Sequence, residues 1–303
     1  MNRCPHEILL QIFGLACDDD GSTGRALSLV SRNVHELSKE FKYQSIAIVG
    51  LLRLVSFAAV LQDLQEPSRR VRHLFFSSIA QNLSGKPKRI TEDLQNYRDT
   101  CDAFSKVMRI VAPTLVTCQI VFQSARMVTL IPESCPCLTD LSLVGPFPTL
   151  PGVDEAPRFP SLRSLTFSSF TDYPSCLFDD IATQAPNLQN LAFYPAQACR
   201  NFAGDLAKAL NAPTSSRSAP DPHHVPRPAL PNTIKQVTVQ PGTEINRELR
   251  NAYCKQSVQA LMERKLTYMQ KNHKRCQVEC VAPGRPQTSP QDTLSVWLLR
   301  SHD

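Results

Sequence analysis

The chain has 303 residues, enough for two domains or one extended array with a sizeable core. A hydrophobic content of 42% excludes wholesale disorder. The net charge of +6 is mild, and its Lys and Arg residues are scattered among acids rather than gathered in a stripe, which argues against nucleic acid as the partner.

The first residues lack the basic start and long apolar run of a secretory signal. The eleven cysteines are therefore expected as reduced thiols in the cytosol or nucleus. By the same logic the sequon Asn82-Leu83-Ser84 is expected to stay unmodified. No membrane span is expected either. Its best candidate, Leu51 to Leu61, is too short and is interrupted by Arg53, so it reads as a buried helix.

In chain order, a first helix is predicted over Glu7 to Ala16, where Ile8, Leu9, Ile12, Phe13 and Ala16 recur at helical spacing just after Pro5. Asp18-Asp19-Asp20-Gly21-Ser22 breaks the pattern. A second helix starts near Ser22 or Thr23, with Ala26, Leu27, Leu29 and Val30 as its apolar residues, and a third runs from Arg32 to Lys39. Tyr43, Ile46 and Ile48 then alternate as a strand does. Tyr97, Cys101, Phe104, Met108 and Val111 form the strongest helical series in the chain. Weaker helices are expected over Phe178 to Gln184 and Phe202 to Leu210. Near the end come a long helix from Glu244 to about Asn272, a short strand over Gln277 to Val281, and a helix from Thr293 to Leu299 anchored by Trp297.

Between these elements a template repeats. Leu138-x-x-Leu141-x-Leu143, Leu162-x-x-Leu165-x-Phe167 and Leu188-x-x-Leu191-x-Phe193 share it. Val71-x-x-Leu74-x-Phe76, Leu115-x-x-Cys118-x-Ile120 and Ile234-x-x-Val237-x-Val239 fit it more loosely. The starts at 115, 138, 162 and 188 lie about 23 to 26 residues apart. Pro113, Pro136, Pro160 and Pro186 each stand two residues before a start. Each is expected to end the preceding element and push its neighbour toward extended geometry. One such strand cannot bury its own apolar side, so stacking into a solenoid is expected. Gln81 to Arg89 reads as a polar loop, and Ala212 to Pro231, with six prolines, as a flexible insertion.

Catalytic chemistry finds no foothold. Ser84-Gly85-Lys86 has too few glycines for a phosphate loop, and neither a G-x-S-x-G elbow nor an H-E-x-x-H helix occurs. Asp18 to Gly21 lacks the alternate carboxylates and distal glutamate of a calcium loop and reads as a solvated turn. Cys135-Pro136-Cys137 and His273-x-x-Cys276-x-x-x-Cys280 each lack a full zinc set, and one cysteine of the first is expected in the core. His223-His224 lies in the insertion. Arg264, Lys265, Lys271, Lys274 and Arg275 are interspersed with Glu263, Tyr268 and Met269, the pattern of a solvated amphipathic helix. No catalytic residue, metal or cofactor is expected.

Two phrases carry a resemblance. Cys4-Pro5-His6-Glu7-Ile8-Leu9-Leu10-Gln11-Ile12-Phe13, then Leu27-Ser28-Leu29-Val30-Ser31-Arg32, resembles the F-box, in particular that of the fungal mushroom-type group. Cys4 replaces the usual leucine, Val34 stands where many boxes have tryptophan, and Tyr43 takes the later aromatic place. Met1 lies only four residues before Pro5, which leaves the first helix little lead-in. The downstream copies resemble the degenerate leucine-rich repeats that follow such boxes. Pro146, Phe170 and Ala196 replace their usual Asn or Cys, so an irregular solenoid is expected rather than a regular horseshoe.

The resemblance implies an α/β chain of two parts. Residues 1–48 would form a three-helix F-box-like unit, and 49–303 a leucine-rich-repeat-like solenoid with the insertion at 212–231. It implies a Skp-type adaptor as partner, a cullin scaffold beyond it, and a substrate protein held by the solenoid for ubiquitin transfer by other subunits. Pro5, Ile8, Leu9, Ile12, Phe13, Leu29 and Val30 would supply the apolar anchors and Arg32 the polar rim. The alternative reading is a plain interaction solenoid whose first helices only cap the array. Burial of Ile8, Leu9 and Ile12 favours the cap, and an exposed apolar patch favours the adaptor.

Overall fold

The computed structural model describes residues 4–78, 90–121, 134–144, 156–168, 176–196, 201–211, 230–242, 252–283 and 290–300. The expected loop at 81–89, nearly all of the Pro-rich insertion, His223-His224, and the first residues of the long helix predicted from Glu244 lie outside them. The chain is mixed α/β and divides into two compact units. One holds Met1–Gln123, Leu130–Leu138 and Thr288–Asp303; the other holds Ser124–Thr129 and Thr139–Gln287. Residues 1–48 thus share a unit with the strands that follow them.

The first unit begins with α1 (His6–Ala16), α2 (Ser22–Leu27) and α3 (Arg32–Ser38). They precede β1 (Ser45–Val49), α4 (Leu51–Asp63), β2 (His73–Ser77), α5 (Ile90–Val111) and β3 (Thr117–Val121). In the second unit come β4 (Asp140–Val144), β5 (Ser164–Ser168), α6 (Leu177–Gln184), β6 (Asn190–Ala196), α7 (Phe202–Ala209), β7 (Gln236–Pro241), α8 (Ala252–Asn272) and β8 (Gln277–Cys280). The last helix, α9 (Pro290–Arg300), belongs to the first unit. Within each unit successive strands pair in parallel: β1 to β3 in the first, β4 to β8 in the second. No helix among the described residues is long and apolar enough to cross a membrane.

The register aligns the repeat template with itself. Leu141, Leu165, Leu191 and Val237 stand side by side, as do Leu143, Phe167, Phe193 and Val239. Leu74 pairs with Cys118 and Phe76 with Ile120. Every template residue of these six copies is buried. A second periodicity lies in the backbone. In four of the copies the carbonyl one residue after the template start accepts two N–H groups from the next copy. Arg72 accepts from Val116 and Thr117, Thr139 from Arg163 and Ser164, Arg163 from Gln189 and Asn190, and Gln189 from Lys235 and Gln236. Each of these four copies is thereby locked to the next before the strand begins.

Two copies escape the sequence pattern. Ile46 and Ile48 pair with Leu74 and Phe76, which makes Tyr43-x-x-Ile46-x-Ile48 a copy. Val278 and Cys280 pair with Val237 and Val239, so Arg275-x-x-Val278-x-Cys280 is another. Their starts are weak leucine mimics: Tyr43 is half-buried, and the Arg275 guanidinium donates to the Leu230 carbonyl at 2.9 Å.

The prolines do more than end the preceding element, as Pro186 does just after α6. Pro136, Pro160 and Pro186 are second residues of turns closed by N–H bonds from Leu138 to Cys135, Leu162 to Phe159 and Leu188 to Ala185. Proline's fixed φ suits that position and its missing N–H is not called on there. They shape the turn ahead of the strand as well. The Leu51 to Leu61 helix departs from its reading as buried. On α4, Leu54, Phe57, Ala58 and Leu61 face the core, while Leu52, Val55 and Val60 face out.

Gly24 is a point of close approach. A Cβ there would lie 2.6 Å from the Lys42 carbonyl oxygen, and backbone cannot yield as a flexible side chain does. Gly24→Ala is expected to cost about 1–3 kcal/mol, the usual range for overpacking. Thermal unfolding followed by circular dichroism checks it; an unchanged midpoint would show that α2 and the segment before β1 can part freely.

Candidate docking surface on the N-terminal helices

The apolar residues of α1 fall into two adjacent stripes. Leu9 and Phe13, one turn apart, are 6% and 3% exposed and meet Val34 of α3 in a small core completed by Cys4, Leu27, Leu37 and Phe41. Ile8 and Ile12 are 44% and 49% exposed, and Leu15, next on the same stripe, is 82% exposed. Leu29 and Val30, in the turn after α2, are 86% and 59% exposed. Of the eight residues that the sequence nominates, Ile8, Ile12, Leu29, Val30, Pro5 and Arg32 are thus accessible, while Leu9 and Phe13 are structural. Their burial is what lets so small a body hold its shape. Leu15 was missed, although it stands seven residues after Ile8, the next position on that stripe.

Local hydrogen bonds hold these side chains out. The Pro5 carbonyl accepts the N–H groups of Ile8 and Leu9 and starts α1. Leu29 and Val30 donate back to Ala26 and Leu27, which turns them outward. Ser31 Oγ accepts from Val34 N–H at 3.2 Å and caps α3, setting Arg32 at its first turn. The helical body is tied to β1 by Gln44, whose Nε2 donates to the Gly14 carbonyl at 2.8 Å, and by Ala47 N–H to the Asp20 carbonyl at 3.2 Å. Ser45 Oγ also donates to the Asp19 carbonyl.

The aspartates between α1 and α2 are half-buried and engaged internally, so the stretch is less solvated than the sequence suggests. Burial raises the Asp19 pKa, but bonds from Ser22, Thr23 and Gly21 outweigh it and leave the carboxyl below its ordinary value. Asp20 accepts from Ser22 N–H, and Asp18 lies 3.3 Å from His73 Nε2. That last pair is close enough for a charge interaction, although Asp18 Oδ1 makes no well-aligned hydrogen bond.

No cluster of three potential metal ligands occurs among the described residues. His273 Nδ1 lies 3.3 Å from Cys276 N and its Nε2 meets the Leu210 carbonyl at 3.2 Å, so the imidazole braces the start of β8 against the end of α7. Cys135 is buried and Cys137 exposed, so one cysteine of this pair belongs to the core, as expected. Arg264, Lys265, Lys271 and Lys274 are exposed, whereas Met262, Leu266 and Met269 form the buried stripe of α8.

Thiol chemistry offers a check on this core. Burial, helped by the Asp19 charge, pushes the Cys17 thiol up to about 11. Below pH 9 both folded and unfolded chains hold this thiol neutral. Between about pH 9 and 11 the unfolded chain ionises first, so the stability that the neutral thiol preserves is lost as pH rises through that window. Iodoacetamide at pH 8 is expected to label exposed Cys137 and Cys254 and to spare Cys17, Cys118 and Cys135. Peptide mapping of the labelled sites tests this, and fast labelling of Cys17 in the folded chain would refute the packing of α1.

No family model matches this sequence, and no curated protein matches it either.

Proposed function

We propose that this chain is a non-enzymatic F-box-like adaptor, which docks through its N-terminal helices on a Skp-type protein and holds a substrate on a leucine-rich-repeat-like array. The observation that carries the reading is the outward stripe of Ile8, Ile12 and Leu15 beside the inward pair Leu9 and Phe13. Helices that merely cap an array turn their apolar residues toward it. An exposed stripe of this kind marks a surface awaiting a partner. Each such side chain contributes about 1.5–3 kcal/mol when fully removed from water, set against the cost of association.

Arg32, exposed at the start of α3, suits the polar rim of such a contact, and Leu29 and Val30 extend its apolar part. The aligned template supports the array, with polar residues such as Gln119, Ser142, Thr166 and Thr238 between its apolar positions. A scaffold of parallel strands and loops can then present a substrate to the transfer machinery carried by other subunits.

The test is co-elution of the purified chain with a Skp-type adaptor in size-exclusion chromatography. The wild type is expected to co-elute and Ile8→Glu/Ile12→Glu to elute alone, with unchanged circular dichroism because neither side chain serves the core. Leu9 is unsuitable for this purpose, since a charge there would unfold the helices. Separate elution of a well-folded wild type would sink the adaptor reading and leave an interaction array.

A further inference from the structure

We propose a second interaction site, independent of the adaptor surface: the outer edge of β1, which takes an extended acidic peptide as an added strand. Among the described residues β1 is the first strand of its ladder and pairs with β2 alone. Gln44 accepts from Arg72 and His73, and Gly50 donates to Ser77, so the even-numbered residues turn their backbone groups toward β2. Those between them turn outward, as in any strand. Ala47 N–H meets Asp20, but no described residue pairs with the Ala47 carbonyl or the Val49 N–H. An unpaired acceptor and donor on one edge form the template for strand addition.

The edge lies in a groove of about 690 Å³ with mostly apolar walls. Ile46, Leu52 and Phe57 line it on the α4 side, and Leu294 of α9 joins them. Leu52 is 84% exposed, an apolar side chain that no described element covers. The occupant's charge follows from the rim, where Arg25, Lys42 and Arg53 stand against the single carboxylate of Asp20. A second copy of the chain would set these cations against one another. A strand with alternate apolar residues and flanking carboxylates complements both walls and rim.

The probe is a short fluorescent peptide of alternating valine and threonine flanked by glutamates, titrated by anisotropy against the full chain. Saturable binding is expected, weakened at least about tenfold, or roughly 1.4 kcal/mol, when lysines replace the glutamates or when Lys42→Glu/Arg53→Glu is used. Val49→Pro removes only the outward N–H, a substitution that an edge strand tolerates, and is expected to lose binding while its urea midpoint holds. Ile8→Glu/Ile12→Glu is expected to bind as the wild type does, which separates this site from the adaptor surface. Absence of binding, equal binding of the lysine-flanked peptide, or unimpaired binding by Val49→Pro would overturn the proposal. So would a dimer in sedimentation that Val49→Pro abolishes, because the edge would then belong to a second copy.

Discussion

Phe193→Ala is expected to remove about 3–5 kcal/mol from the stability of the second unit, the range for truncating a fully buried aromatic. Phe193 is fully buried where β6 meets two helices. Its ring stacks on Phe167 of β5 at 5.1 Å, meets Phe202 of α7 edge-on at 4.9 Å, and lies 6.4 Å from Phe178 of α6. The stacked and edge-on geometries add about 0.5–1.5 kcal/mol each beyond area burial. The cavity cannot close cheaply. The ring's neighbours belong to a hydrogen-bonded ladder on one side, and inward movement of α6 would strain its short link to β6. Urea unfolding measures the loss, and Phe193→Leu is expected to recover more than half of it. Tyr194→Ala, next in sequence but on the other side of the strand, is expected to cost well under Phe193→Ala. Equal costs would mean that the ring cluster does not hold this unit together.

Trp297→Ala is the second large loss, again about 3–5 kcal/mol, in the first unit. Phe75 occupies the middle of its template copy and points away from Leu74 and Phe76. At the equivalent place other copies carry Gln119, Ser142, Thr166 and Thr238. Like them Phe75 is buried, and here Trp297 of α9 packs on it with ring centroids 5.8 Å apart. Truncating Trp297 removes its own contacts and uncovers Phe75 as well. Trp297→Phe is expected to keep most of the stability, and Phe75→Ser in the Trp297→Ala background to restore solubility without restoring stability. As the chain's single tryptophan, Trp297 reports on itself. Native emission should be blue-shifted and protected from acrylamide, and a fully quenchable tryptophan in the folded protein would remove α9 from β2.

The helical series Phe104, Met108 and Val111 and the copies from Val71 to Val239 were legible in the sequence, and each lies buried where periodicity places it. Periods of two and of three to four residues survive because side-chain direction follows backbone geometry directly. The copies at Tyr43 and Arg275 were not legible for the complementary reason. A strand with a neighbour on one side only tolerates a half-buried or polar residue where an inner strand demands leucine. The candidate site was half legible. Spacing puts Ile8 with Ile12 and Leu9 with Phe13, but both pairs are equally helical and equally apolar, and only the position of Val34 decides which pair turns inward.

Local patterning thus determined the helices and the strands of the six template copies, because side-chain direction there follows from interactions a few residues apart. The tertiary structure decided what those patterns leave open. It determined which stripe of α1 and which side of α4 meet solvent, and what covers Phe75. It also determined that the outer edge of β1 stays unpaired among the described residues. Each of these turns on a neighbour distant in sequence, and burial is a property of the pair rather than of either residue alone.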